Sequence, residues 1–180
     1  DLQNERACSY IAVLDSKSQR LKQLTEDLVE VSRISSGNIT LNIERINLVE
    51  LVHQTEGEFA EKFEARSLQI VSNLPKESVV ILADGRRIWR VLENIYNNVA
   101  KYAMERTRVY VDMQADGTEV LFSIKNISEN PLNIQADELT ERFIRGDVSR
   151  STEGSGLGLS IAKNLTMMMG GTFQIYLDGD

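Results

Sequence analysis

The feature that most constrains how this chain folds is a stretch of helical periodicity that covers its first 35 residues and then ends. One broad face of the stretch is aliphatic and the other side is charged. The aliphatic positions are Ala7, Ile11, Leu14, Leu21, Leu24, Leu28 and Val31. A lone helix cannot bury such a stripe against itself, so the pattern predicts a long helix that packs against partner helices. Ser35, Ser36 and Gly37 predict its end, with Gly37 as the C-cap.

From residue 38 onwards the periodicity switches between the strand and helix types, which predicts a mixed domain. Strands are expected near 39–43, 68–71, 79–82, 108–114, 118–124 and 172–177, and helices near 47–66, 84–104 and 155–169. Asn47 and Asp84 are the expected helix N-caps, and Ala115-Asp116-Gly117 predicts a hairpin turn. The fold class predicted is α+β, a two-layer α/β sandwich in which helices cover a mixed sheet.

Composition excludes several classes of function. The net charge of −7 and the pI near 4.9 argue against non-specific nucleic-acid binding. The single cysteine, Cys8, excludes an internal disulfide framework. No apolar run approaches the roughly 20 residues that a membrane span requires.

The predicted helix over 84–104 carries two different stripes. Its apolar stripe consists of Ile88, Val91, Leu92, Ile95 and Val99. A polar stripe of Asn94, Asn98 and Lys101 follows its edge, and asparagine is a poor choice for a helix unless it has a task. An amide oxygen suits magnesium, and a lysine one turn away suits the same phosphates. An ordinary solvated helix face that happens to be rich in asparagine is the alternative.

A second informative segment is rich in glycine and leads into the last predicted helix. Gly154, Gly156 and Gly158 would let the backbone approach a phosphate, and the N-terminus of a helix offers free N–H groups. The segment is not a Walker loop, because no Gly-Lys-Ser/Thr follows it. It is also not a dinucleotide fingerprint, because no βαβ unit surrounds it.

Together these segments resemble a specific family. The stretch from Asn94 to Tyr102 resembles the N box of sensor histidine kinases, which belong to the ATPase group that includes gyrase B, Hsp90 and MutL. The stretch 140–147 resembles the F box, and the stretch 150–163 resembles the lid arginine and the glycine-rich box. The resemblance covers most of residues 20–177. It implies that residues 1–37 are the second helix of a dimerisation and phosphotransfer hairpin, and that residues 38–180 are an ATP-binding catalytic domain.

The resemblance also implies roles for single residues, with ATP and magnesium as cofactors. Asn98 would be the protein ligand of magnesium, Asn94 would lie near the γ-phosphate, and Lys101 would contact phosphate. These three are the expected catalytic residues. Residues that would contact the nucleotide elsewhere are Tyr102 at its border, Arg145 and Arg150 on the lid, Gly154, Gly156 and Gly158, and the backbone of Ser155, Leu157 and Leu159.

One segment departs from the family pattern. The adenine-binding box usually reads Asp-x-Gly-x-Gly, and the matching positions here are Asn126, Ser128 and Asn130. Asn126 can still accept a hydrogen bond from the adenine amino group, but without charge assistance. Ser128 and Asn130 restrict the backbone where the family has glycine. A nucleotide-free scaffold domain therefore remains an alternative, as does an ATPase of the gyrase or MutL type.

The only histidine, His53, lacks the surroundings of a phosphoacceptor, because Gln54 follows it and no proline is near. We therefore expect an ordinary helix histidine there, with the acceptor on a segment outside this chain. By resemblance, the complete protein would phosphorylate a histidine and relay the phosphoryl group to an aspartate of a response regulator. It would form a homodimer through the N-terminal helix. It would be membrane-anchored through segments absent here, with this part in the cytoplasm.

Overall fold

A computed structural model describes residues 2–37, 39–130, 136, 138–140 and 156–178 of the chain. The first element is the long helix α1 (Leu2–Ser35), as predicted. Gly37 follows it with φ of +67°, and its N–H donates to the carbonyl of Ile34 at 3.2 Å. The predicted glycine cap is confirmed, because this left-handed conformation is one that side-chain-bearing residues rarely adopt.

The remaining elements alternate between strands and helices. In chain order they are β1 (Ile43–Asn47), α2 (Leu48–Glu64), β2 (Gln69–Asn73), β3 (Val80–Asp84), α3 (Gly85–Tyr102), β4 (Arg108–Ala115), β5 (Val120–Lys125), a 3₁₀ turn (Glu138–Thr140) and α4 (Gly158–Met168). The strands form two sheets. β1 pairs antiparallel with β3, and β4 lies between β2, to which it is parallel, and β5, to which it is antiparallel. The predicted α+β class with a mixed sheet and packed helices is confirmed.

The predicted hairpin joins β4 to β5. Its ladder closes with Ala115 opposite Val120. The Asp116 carboxylate accepts from the backbone N–H groups of Thr118 and Glu119, both at 2.9 Å, and from the Thr118 hydroxyl. These hydrogen bonds lower the pKa of Asp116 to about 2, because they favour the ionised form. The turn is thus built by an aspartate that bonds its own loop.

Helix α3 lies between the two hydrophobic clusters of the molecule. One side of α3 places Leu92, Tyr96 and Val99 in a core shared with α2 and β4. The other side places Val91 in a second core with α4 and the end of α1, where Val31 is buried. Tyr96 was not among the predicted core positions, although it is fully buried and stacks on Phe63 with ring centroids 6.0 Å apart. Because both sides of α3 are packed into these cores, a narrow polar edge of the helix remains outside them.

Three details of the predicted secondary structure are wrong. Strand β1 begins at Ile43 rather than near 39, because its register is set by pairing with β3. Asn47 precedes α2 but makes no cap hydrogen bond, and its side-chain oxygen is buried without a partner in the described structure. Residues 172–177 form no strand ladder. Phe173 and Ile175 are half-buried between exposed neighbours, so the alternation is present without a hydrogen-bonded partner.

Within the described residues, none of the helices combines the length and the apolar character that crossing a membrane would require.

Candidate functional site

The orientation of α3 is fixed at its first turn by Asp84. One carboxylate oxygen accepts from the N–H groups of Arg86 and Arg87, both at 3.1 Å, and the other accepts from the N–H of Asn42 at 2.9 Å. Burial by itself would raise the pKa of Asp84. The backbone hydrogen bonds, together with the charge of Arg87, outweigh burial and lower that pKa. The predicted N-cap is therefore confirmed, and it carries a negative charge at the positive end of the helix dipole.

The three asparagines of α3 have different environments. Asn94 is buried, and its amide nitrogen donates to the carbonyl of Arg90 at 2.8 Å. Asn97 accepts from the Lys62 ammonium on α2 at 3.1 Å. The side chain of Asn98 is half-buried and has no hydrogen-bond partner among the described residues. Of the three, Asn98 is the one whose whole side-chain amide has no hydrogen bond within the described part of the chain, which leaves it available to a ligand.

The N-terminus of α4 lies directly against Asn94. A Cβ atom added at Gly158 would be 3.0 Å from the Asn94 side-chain oxygen, which is tighter than ordinary contact. Glycine at this position therefore allows the start of α4 to approach the polar stripe of α3. The structure brings Asn94 and Gly158 together, as the resemblance implies.

The backbone before α4 is shaped for an anion. Gly156 has φ of +71°, and Leu157 occupies the N-cap position without a side-chain cap. The first N–H groups of the helix, from Gly158 onwards, thus have no intrahelical acceptor and no capping side chain. Free N–H groups and the helix dipole together favour a phosphate. A fourth prediction is also wrong, because the helix start predicted at 155 is three residues too early and α4 begins at Gly158.

The segment that departs from the family pattern is held by its own polar side chains. The Ser128 hydroxyl donates to the carbonyl of Asn130 at 2.7 Å, and the Asn126 amide nitrogen donates to the carbonyl of Ile127 at 3.2 Å. The amide oxygen of Asn126 has no partner within the described part of the chain. It therefore remains available as an acceptor for a ligand.

Backbone hydrogen bonds attach this segment to the end of α3. The N–H of Met104 donates to the carbonyl of Ile127, and the N–H of Glu129 donates to the carbonyl of Tyr102, both at 2.8 Å. Ala103 and Ser128 form an isolated antiparallel bridge. The polar stripe of α3 thus extends between two backbone features, the start of α4 at Asn94 and the segment 126–130 at Tyr102.

One broad depression, which also takes in residues of α1, β3 and β5, contains every predicted site residue whose position is described, except Leu157. It is lined by Asn94, Asn98, Lys101, Tyr102, Asn126, Ser128, Asn130, Gly156, Gly158 and Leu159. Leu157 is buried in the second core instead. Arg145, Arg150, Gly154 and Ser155 lie outside the described residues, as does the F-box stretch 141–147.

The contacts of two lysines were not predicted from the sequence. Lys62 binds Asn97, and Lys163 of α4 donates to the hydroxyl of buried Thr140 at 3.0 Å, at the beginning of the F-box-like stretch. Both contacts join elements far apart in sequence. A lysine on a polar helix face gives no signal of such a partner.

The one histidine lies away from this depression, on the surface of α2. His53 Nδ1 is 3.3 Å from the Glu56 carboxylate, and its side chain is 60% exposed. Its placement on a helix surface is as predicted. In the described residues, no group of three or more histidine, cysteine, aspartate or glutamate side chains could hold a metal ion.

Comparisons with known proteins agree with this geometry. Residues 83–179, more than half of the chain, match the family described as histidine kinase-, DNA gyrase B-, and HSP90-like ATPase. The chain is 30% identical over 182 residues to the sensor protein VanS of Enterococcus faecium, covering 100% of this chain and 46% of VanS.

Two solved structures share the fold. Full-length ShkA in complex with AMPPNP superposes with a TM-score of 0.76 at 25% identity, over 90% of this chain and 34% of that one. Histidine kinase AdeS of Acinetobacter baumannii superposes with a TM-score of 0.71 at 20% identity, over 91% of this chain and 75% of that one. The chain spans less than half the length of VanS and about a third of ShkA. It belongs to the histidine kinase-, DNA gyrase B- and HSP90-like ATPase family, within which its similarity is to the sensor histidine kinases.

Proposed function

We propose that this chain is the ATP-binding catalytic region of a sensor histidine kinase. Residues 38–180 bind Mg-ATP and position its γ-phosphoryl group for transfer to a histidine, from which an aspartate of a response regulator receives it. Residues 1–37 are the second helix of the hairpin through which two copies form a dimer. The intact kinase is anchored in a membrane and keeps this region in the cytoplasm, as befits a sensor that signals to a soluble regulator.

The observation that carries the proposal is the contact between the asparagine stripe of α3 and the N-terminus of α4. A side chain at position 158 would crowd the Asn94 oxygen, and glycine there allows the two helices to lie close together. The uncapped N–H groups at the start of α4 and the amides of α3 then face the same depression. A triphosphate needs such a combination of backbone donors and neutral oxygen ligands. The AMPPNP named with the ShkA structure supports a nucleotide as the ligand here.

The donor set fits magnesium. Asn98 has a half-buried amide without a partner among the described residues, and an amide oxygen is a hard ligand that magnesium accepts beside phosphates and water. Magnesium, when bound, neutralises charge on the phosphates and orients them. Asn98 would hold the ion and Asn94 would orient the terminal phosphate. Lys101 would supply a positive charge at the same end of the nucleotide.

The other end of the depression suits a base. Asn126 offers to the adenine amino group an amide oxygen that no described residue binds, and Tyr102 borders the nucleotide. Arg145, Arg150, Gly154 and Ser155 would close over the phosphates, as the resemblance implies. In this proposal the chain contributes mainly positioning and charge compensation, which is most of what phosphoryl transfer requires of a protein.

Calorimetric titration with Mg-ATP tests the binding half of the proposal. We expect saturable binding by the 180-residue chain that weakens when EDTA replaces magnesium. If the titration gives no heat and ATP does not displace a fluorescent ATP analogue, the nucleotide-free scaffold is favoured instead.

A phosphohistidine assay on the full-length protein tests the transfer half. We expect acid-labile, base-stable phosphate on a histidine other than His53 after incubation with labelled ATP. Release of inorganic phosphate without labelled protein would favour an ATPase of the gyrase or MutL type.

A further inference from the structure

Arg66 lies beside the C-terminal end of α3, outside the residues that line the depression. It follows α2, and its side chain is only 19% exposed. One terminal nitrogen donates to the carbonyls of Ala100 at 2.9 Å and Lys101 at 2.7 Å, and the other donates to the Glu129 carboxylate at 2.6 Å. A single guanidinium therefore binds the last turn of α3 and the segment 126–130 together.

The last turn of α3 depends on these contacts. The last four carbonyls of a helix have no partner within it. In α3, the carbonyl of Val99 accepts from Ala103, those of Ala100 and Lys101 accept from Arg66, and that of Tyr102 accepts from Glu129. Three of the four carbonyls are thus satisfied by Arg66 and by the residue that Arg66 holds.

An arginine suits this junction for a chemical reason. The planar guanidinium can donate in several directions at once, and its charge interacts favourably with the C-terminal end of a helix dipole. Its contacts to a carboxylate are charge-assisted and therefore short. Glu105 lies farther away, 3.6 Å from Nε, and is 60% exposed, so it contributes little.

We propose that Arg66 is a positioning residue for nucleotide binding, which sets the distance between the asparagine stripe of α3 and the segment 126–130. This inference rests on the proposed function, because a nucleotide would touch both parts at once. A ligand that touches only one part does not depend on their spacing, whereas one that spans both does. A residue that merely stabilised the fold would not distinguish between such ligands.

The test compares spanning and non-spanning ligands on the full 180-residue chain. The variants are Arg66→Ala, Arg66→Lys and Glu129→Gln, with Glu105→Gln as the control that removes only the distant partner. The ligands are Mg-ATP, adenosine as the nucleoside without phosphates, and magnesium tripolyphosphate as the phosphates alone. Affinities come from calorimetry or, for weak ligands, from NMR shifts, and thermal melting by circular dichroism monitors folding.

We expect Arg66→Ala to weaken Mg-ATP on the order of tenfold, with smaller losses for Arg66→Lys and Glu129→Gln and none for Glu105→Gln. Adenosine and tripolyphosphate should bind all folded variants within about twofold of the parent. Should Arg66→Ala fail to fold, Arg66→Lys and Glu129→Gln decide the question. Unchanged Mg-ATP affinity in both, or an equal loss for all three ligands, would overturn the inference while leaving the proposed function standing. A parent chain that binds no Mg-ATP would overturn the proposed function itself, and the inference with it.

Discussion

Asn94, Asn97 and Asn98 lie within five consecutive positions of one helix, yet each has a different neighbour. Asn94 is held by the backbone of its own helix and faces Gly158. Asn97 is bound by Lys62. Asn98 has no hydrogen-bond partner among the described residues, and its side chain lines the depression. The difference makes Asn97 a natural control for Asn98, because the same truncation on the same helix removes a different contact.

Asn98→Ala should lose most of the magnesium-dependent part of ATP binding and should leave the fold intact. Asn98 is half-buried at the edge of the apolar face, so truncation opens no core cavity but removes the proposed magnesium ligand. Calorimetry with ATP in the presence and absence of magnesium measures the effect. Asn97→Ala should keep magnesium-dependent affinity within about twofold. Equal binding by Asn98→Ala and the parent would contradict the metal assignment.

Asn126→Asp should tighten ATP binding modestly. A charged acceptor makes a stronger hydrogen bond to the adenine amino group than the present amide does, by about 1 kcal/mol. The comparison of ATP with GTP in the same titration is the sharper measurement, since adenine carries an amino donor at C6 where guanine carries a carbonyl oxygen. An unchanged or weakened ATP affinity would mean that this segment holds the base through another group.

The sequence predicted which residue types form the site but not their partners. The period of α3 separates Asn94, Asn98 and Lys101 from the apolar stripe, because residues three and four apart share a helix face. The tertiary neighbours of Asn94 and Asn97 are Gly158 on α4 and Lys62 on α2. Such contacts depend on tertiary packing and leave no periodic signal. Resemblance to a family supplied the pairing of α3 with the glycine-rich segment, and Arg66 was found only in the structure.

Among the elements, α3 has strong local signals, and its predicted range of 84–104 lies within two residues of the observed Gly85–Tyr102. Asp84 caps its first turn, and its polar and apolar stripes follow the helical period. Residues 172–177 show the opposite case. Their alternation predicts which side chains are half-buried, and Phe173 and Ile175 are, but a strand also needs a hydrogen-bonded neighbour that a pattern in one segment cannot provide. Asn47 shows that a good capping residue can precede a helix without making the cap hydrogen bond.

Asp84→Ala should destabilise the domain by about 1–2 kcal/mol, because the two N–H groups of α3 lose their cap. The folded-state pKa of Asp84 is lowered, so its stabilisation is present above the unfolded value of about 3.9 and is lost as pH falls through the folded pKa. Urea denaturation of parent and variant at pH 7 and at about pH 3, below the unfolded pKa, measures both effects. The difference in the free energy of unfolding between parent and variant should be smaller at the lower pH. Glu77→Ala, at an exposed loop acid, should show little difference at either pH.

At the scale of the whole molecule, α1 has two faces with different surroundings. Near its end, Asp27 and Glu30 bind the guanidinium of Arg90 at 2.7 and 3.0 Å, and Glu30 also binds Arg87 at 3.1 Å. Burial alone would lower the pKa of Arg90, but the carboxylates of Glu93 and Glu30 raise it. Together with buried Val31, this network attaches the end of α1 to α3 and α4.

The other face of α1 is not covered by any of the described residues. Ile11, Leu14 and Leu21 are 65%, 67% and 66% exposed, and Leu28 is 54% exposed. The sequence predicted that this aliphatic stripe needs partner helices. It did not predict that Asp27, on a different face, would be buried against Arg90, because a charged residue on a helix usually marks the solvated side. A helix attached by one face and bare on another has a surface left for a second copy.

Leu14→Glu should shift self-association of the chain toward monomers, raising the dissociation constant at least about tenfold. Each large aliphatic side chain left in water costs on the order of 1.5–3 kcal/mol relative to burial, so the stripe should pair with the same stripe of another copy. Sedimentation velocity over a range of concentrations measures the equilibrium. Ser16→Glu adds the same charge about 200° around the helix and should leave association unchanged. A parent that stays monomeric while α1 remains helical would mean that the stripe folds against its own chain.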